Sequence, residues 1–162
     1  MVWAILEGFG LGILLIIYCL IGIRKGPVNM VFLYDKEVQL KSIELGLITP
    51  NKIKHNAIIF KIIGIISYIA YCLIFVYLVN GARDFLPGFL QLLIILSICN
   101  LIDRILIDEI WVNHTKAWII PETEQYMPYI KTKDKIKKWI FGTFGMAAIA
   151  AILALIMMLI IK

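Results

Sequence analysis

Four long apolar runs constrain this chain more than any other feature of its sequence. They cover about residues 2–23, 57–80, 86–113 and 139–161. A helix needs about 20 apolar residues to cross a hydrocarbon core of ~30 Å. Of the 162 residues, 62% are hydrophobic and 17% are charged, whereas a soluble domain is about half apolar and about a quarter charged. The sequence therefore predicts an all-α fold: one polytopic transmembrane domain, residues 1–162, forming a four-helix bundle.

The basic residues of the connecting segments predict an orientation. Twelve of them lie in the long connections 24–56 and 114–138, against two on the opposite side, Arg83 and Lys162. The twelve are Arg24, Lys25, Lys36, Lys41, Lys52, Lys54, Lys116, Lys131, Lys133, Lys135, Lys137 and Lys138. The positive-inside rule places both long connections in the cytosol and both termini outside. We therefore expect a multi-pass protein of the cell (plasma) membrane.

The net charge of +5 also indicates contact with a membrane. A basic run such as Lys131–Lys138 attracts anionic lipids at a membrane surface. No nucleic-acid-binding motif accompanies the charge. Membrane lipids are therefore the expected partners, and nucleic acid is not.

The first long connection contains helix signals of its own. Asp35 occupies an N-cap position, and Gly46 follows as a C-terminal stop. The pair Thr49-Pro50 then has the form of a second helix start. We predict a short amphipathic helix in this cytosolic loop, either lying on the inner leaflet or packed on the cytosolic end of the bundle.

A polar side on the third apolar helix is the main candidate for a functional site. At ~100° per residue, its polar members share an arc of roughly 140°. They are Asn100, Asp103, Arg104, Asp108, Trp111, His114 and Thr115. Such a side should face protein or water. If the helix enters the hydrocarbon near Leu86, a ~30 Å core ends near residue 106, which predicts a pocket at the cytosolic leaflet.

Three roles are compatible with these residues. Arg104, His114 and Lys116 could bind an anionic head group or amphiphile, with Asp103 and Asp108 orienting Arg104 and with Asn100 and Trp111 nearby. Alternatively, Asp103, Asp108 and Glu109 could hold Mg²⁺ for a lipid-modifying enzyme, although no catalytic motif is present. The network could also be purely structural, in an accessory subunit of a membrane complex or a homo-oligomer. The sequence leaves the cofactor and the enzymatic status open.

The first helix carries one charge and one packing motif. Glu7 could be a proton or cation site or a water-facing charge, and its shallow depth favours the second interpretation. Gly8 and Gly12 form a GxxxG step, which lets another helix approach closely.

Parts of the sequence resemble a known group of proteins. The segments DKEVQ and IELGLIT of the first connection, DRILIDEIWVNHTKAWIIP from residue 103, and MPYI from residue 127 resemble an uncharacterised family of small bacterial four-helix integral membrane proteins. The resemblance covers about a third of the chain. It implies a four-helix membrane fold and brings no assigned activity.

Overall fold

The computed structural model describes residues 1–161, which contain no strand and are almost entirely helical. The helices are α1 (Val2–Ile23), the short α2 (Lys36–Glu44), α3 (Pro50–Val79), α4 (Phe85–Val112) and α5 (Thr132–Ile161). The prediction of an all-helical chain is confirmed. Four of the five helices, all except α2, are long and apolar enough to cross a membrane.

Two of the long helices begin earlier than their apolar runs. α3 begins at Pro50 and α5 at Thr132, ahead of the apolar runs that begin at about 57 and 139. An apolar run marks only the part of a helix that can lie in lipid. The polar first turns of a helix are therefore not included in it. At the start of α3, the Thr49 hydroxyl accepts from the Lys52 backbone N–H at 3.4 Å, as the N-cap signal predicted. The connections therefore shorten to 24–49 and 113–131.

Helix α4 is the central helix of the bundle. In the most apolar 18-residue stretch of α4, 39% of the residues are buried, against 11% in the corresponding stretch of α5. α1 packs on α4 through the GxxxG step, since a Cβ added to Gly8 would meet the Ile98 side chain and lie 3.2 Å from the Ile95 carbonyl oxygen. The predicted close approach at Gly8 is confirmed, and its partner is α4. α5 packs on α4 through its small residues Ala150 and Ala154, which are both buried.

The two long connections, residues 24–49 and 113–131, fold together into a loop cap over one end of the bundle. The Tyr34 hydroxyl donates to the Trp118 carbonyl oxygen at 2.7 Å, across 84 positions of sequence. The Tyr34 and Tyr129 rings meet edge to face, with centroids 4.8 Å apart. Trp118 is 1% exposed and Tyr129 is 3% exposed. These two aromatics therefore form part of the core of the cap.

Helix α2 belongs to this loop cap. Its Val38 and Ser42 are buried, whereas Leu40 is 66% exposed. The short helix thus packs on the rest of the cap through one side. Contact of its other side with a membrane surface stays a prediction.

Candidate functional site

Arg104 lies at the centre of a polar cluster on α4. Its guanidinium donates from Nη1 to Asp108 Oδ2 at 2.5 Å and from Nη2 to Asp103 Oδ2 at 2.6 Å. Its Nε–H donates to Asn100 Oδ1 at 3.3 Å. The side chains of Arg104 and Asp108 are 12% and 10% exposed. Four of the predicted site residues are therefore together, and the two aspartates hold Arg104 from both sides.

Helix α5 supplies a second cation that the sequence analysis missed. Lys138 Nζ donates to Asp108 Oδ2 at 2.9 Å, and three residues earlier Lys135 pairs with Glu109 on the outer side of α4. The spacing was the available signal, since residues i and i+3 share a helix face. It went unused because the basic run Lys131–Lys138 was interpreted as a surface that attracts anionic lipids. We call Asn100, Asp103, Arg104, Asp108 and Lys138 the Arg104 cluster.

The hydrogen-bonding pattern of α4 changes within the part of the helix that carries the Arg104 cluster. From Asp103 to Val112 the helix is a π-helix, with hydrogen bonds from i to i+5 in place of i to i+4. Such turns are rare, and they occur frequently at functional sites. Because the turn is wider, the α-helical angles used for the sequence prediction no longer hold past residue 103. The pair Arg104–Asp108 stays in contact, but the later polar residues do not follow it.

His114 and Lys116 lie outside the cluster. α4 ends at Val112, and both side chains that follow are exposed. The His114 Nδ1–H donates to the Glu109 carbonyl oxygen at 2.5 Å, which turns the ring back along α4. The expectation that these two residues share a pocket with Arg104 is thus corrected.

Trp111 is half-buried and reaches the site only through a neighbour. Its ring meets Trp118 edge to face, with centroids 5.3 Å apart. Trp118, and not Trp111, lies next to the Arg104 cluster.

A cavity of about 300 Å³ lies between the Arg104 cluster and the loop cap. Its polar side is made by Asp103, Arg104, Asp108 and Lys138. The other walls are mostly apolar or aromatic and come from four regions of the fold: Leu15 and Cys19 of α1, Phe60 of α3, Ile107 and Val112 of α4, and Leu33, Tyr34, Trp118, Tyr129 and Ile130 of the cap. The cavity therefore exists only because the cap closes over the helices.

The cavity offers more hydrogen-bond donors than the protein uses. Arg104 commits three of its five N–H groups, one from each nitrogen. Lys138 commits one of its three to Asp108. The Trp118 indole Nε1–H is buried and has no partner among residues 1–161. That N–H is enclosed by protein, so the donors available to acceptor atoms in the cavity are the unused N–H groups of Arg104 and Lys138.

Two ionisable groups of the cap have shifted pKa values. Burial raises the pKa of the Tyr34 phenol, and the neighbouring Tyr129 raises it further. Tyr34 therefore lines the cavity as a neutral phenol. Hydrogen bonds from Lys131 to Asp35 and Glu37 raise the pKa of Lys131, so this lysine remains a cation that links the two connections.

An apolar groove of about 560 Å³ adjoins this cavity. It runs between α3 and α5, and Leu15 and Phe60 line both spaces. Ile65 and Phe141 line the groove and are 60% and 58% exposed. The groove therefore reaches the outer, apolar surface of the bundle.

The carboxylates of the cluster are already engaged by cations. Asp103 and Asp108 both bind Arg104, and Asp108 also binds Lys138. Within residues 1–161, no group of three or more His, Cys, Asp or Glu side chains is placed to hold a metal ion. A magnesium ion at Asp103 and Asp108 would compete with Arg104 and Lys138 for these carboxylates.

No protein-family model matches this chain, and neither a curated protein nor a solved structure matches it. The function must therefore be argued from the site alone.

Proposed function

We propose that this chain is a multi-pass protein of the plasma membrane that binds or transports an anionic amphiphile. The observation that carries the proposal is that a polar cavity and an apolar groove lie side by side. A small cavity with two cations, Arg104 and Lys138, adjoins an apolar groove through the shared residues Leu15 and Phe60. Such a junction suits a molecule with a charged head and an apolar tail.

The head group would bind in the cavity. At about 300 Å³ it lies at the low end of ligand pockets, which range over about 300–1,000 Å³, so it has room for a head group but not for long chains. Charge-assisted hydrogen bonds from Arg104 and Lys138 to phosphate or carboxylate oxygens are among the stronger ones in proteins. Since Arg104 and Lys138 formally balance Asp103 and Asp108, the cluster has no net charge, and a head group would be held by the N–H groups of the two cations that the aspartates do not use.

The chain of the amphiphile would lie in the groove. Its walls are apolar, and exposed residues such as Ile65 and Phe141 connect it with the surface that faces lipid. A lipid could therefore enter sideways from the bilayer without its tail crossing water.

The cytosolic leaflet is the proposed level of the site. The Arg104 cluster lies at the end of the bundle that carries the loop cap, and both connections contribute their basic residues to that end. The positive-inside rule and the attraction of anionic lipids to Lys133 and Lys137, which are exposed, support this orientation. Both termini would then be outside.

Native mass spectrometry of the purified protein tests the proposal with two matched variants. Lys138→Met and Lys135→Met each remove one lysine of α5 that pairs with a carboxylate of α4, but only Lys138 lines the cavity. We expect wild type and Lys135→Met to retain a co-purifying anionic lipid. Lys138→Met should lose at least nine-tenths of it, because the cavity keeps only one cation.

The remaining outcomes separate the other roles. Equal retention by both variants, or no lipid in wild type, would contradict lipid binding and favour a structural subunit. Mg²⁺-dependent turnover of a lipid that Asp103→Asn abolishes would show an enzyme instead.

A further inference from the structure

The opposite end of the bundle holds a second cavity, which the proposed function does not use. It has a volume of about 740 Å³ and lies between α1, the end of α3 and the start of α4. Its polar lining comes from Glu7, Asn80 and Gln91, and its aromatic lining from Trp3, Tyr71 and Phe75. Met1, Leu6 and Val79 also line it, and the Met1 ammonium lies outside salt-bridge range of Glu7. This cavity is far along the helices from the Arg104 cluster, so the two spaces are independent.

Glu7 is buried in this cavity, with 7% of its surface exposed. The expectation of a water-facing charge is therefore wrong. The reason is the close packing of α1 on α4 at Gly8, which holds the adjacent Glu7 against the turn that begins at Asn80. The Asn80 amide nitrogen donates to both carboxylate oxygens, at 2.9 and 3.0 Å.

Within residues 1–161, Glu7 has no basic side chain in salt-bridge range to balance it. Asn80, its one side-chain partner, is neutral, and the same amide nitrogen also donates to Gln91 Oε1 at 2.8 Å. Burying an ionised carboxylate without a counter-charge is unfavourable by several kcal/mol. A cation that entered the cavity would relieve that cost.

The aromatic wall indicates which kind of cation. The Tyr71 hydroxyl donates to the Glu7 backbone carbonyl at 2.9 Å, and the Tyr71 and Phe75 rings have centroids 4.4 Å apart. Aromatic faces attract cations, and quaternary ammonium groups in particular. We propose that this second cavity binds an ammonium group, with Glu7 as its counter-charge and Trp3, Tyr71 and Phe75 as its aromatic wall. The ammonium would belong to a free organic amine or to a lipid head group.

Isothermal titration calorimetry with benzyltrimethylammonium tests this site on the full-length protein in maltoside micelles, with empty micelles subtracted. We expect Glu7→Gln to weaken binding at least tenfold. The glutamine keeps an oxygen for Asn80, so the fold should survive, as thermal unfolding would check. Asp84→Asn is the matched control, because it removes one acidic charge from the exposed turn at the same end and should bind like wild type.

Three results would overturn the proposal: no binding by wild type at millimolar probe, equal binding by Glu7→Gln, or an equal loss in Asp84→Asn. A repeat in nanodiscs identifies the source of the ammonium. Competition by phosphatidylethanolamine but not by phosphatidylglycerol assigns a lipid head group, and equal affinity in both lipids assigns a free amine. Failure here would leave the lipid retention of Lys138→Met unaffected, so the two proposals stand or fall separately.

Discussion

Replacing Arg104 with alanine is expected to lower the free energy of unfolding by about 3–5 kcal/mol, the usual cost of removing one partner from a buried ion pair. The guanidinium engages Asn100, Asp103 and Asp108 at once. Its loss leaves the Asp108 side chain, 10% exposed, with only Lys138. Because Lys138 still offers one cation, we expect a value near the lower end of that range.

Unfolding by sodium dodecyl sulfate in mixed micelles, followed by circular dichroism, measures this change. Lys41→Ala is the control, since Lys41 pairs at 3.2 Å with Glu44, whose side chain is 70% exposed. Surface pairs contribute about 0–1 kcal/mol, so this variant should be close to wild type. A similar small loss in both variants would show that the Arg104 cluster is exposed to water rather than enclosed.

The second large effect is expected at Trp118. Its replacement by alanine should cost about 3–5 kcal/mol, as for other buried aromatic residues. The side chain is 1% exposed and packs against the rings of Tyr34 and Trp111, with centroids 6.4 and 5.3 Å away. Removing it would open the loop cap and enlarge the cavity above Arg104.

Trp139→Ala provides the comparison for Trp118→Ala in the same unfolding experiment. Trp139 is 42% exposed, so its loss creates no enclosed void and should cost less than about 1 kcal/mol. Limited proteolysis should in addition cut the connections of Trp118→Ala faster than those of wild type. If Trp118→Ala unfolds like Trp139→Ala and resists protease equally, the two connections do not form a packed cap.

The helices and part of the site could be predicted because their signals are local. An apolar run of about 20 residues is sufficient to indicate a membrane-crossing helix. Arg104 and Asp108 are four positions apart, a spacing that an α-helix brings together and that stays in contact after the winding changes. Gly8 and Gly12 share one face in the same way, which is why close packing at this step was predictable even though its partner was not.

The rest of the site depends on contacts between distant parts of the chain. A hydrogen bond joins Tyr34 and Trp118, which are 84 positions apart. Neither segment carries a sequence signal that predicts this contact. Lys138 was hidden in a basic run that hydrophobicity alone assigns to a loop. The position of Glu7 near the end of α1 predicts a charge that faces water. Its side chain is buried because α1 packs against α4. His114 and Lys116 were misplaced because the helix widens after Asp103 and ends before them.

The most direct measurement is an experimental structure of the wild-type protein in nanodiscs that contain anionic lipid. We expect density for a head group within hydrogen-bond distance of Arg104 and Lys138, continuous with an acyl chain in the groove between α3 and α5. A cavity filled only by water, or Asp103 and Arg104 in contact with the acyl chains of bulk lipid, would contradict the binding site proposed for this chain.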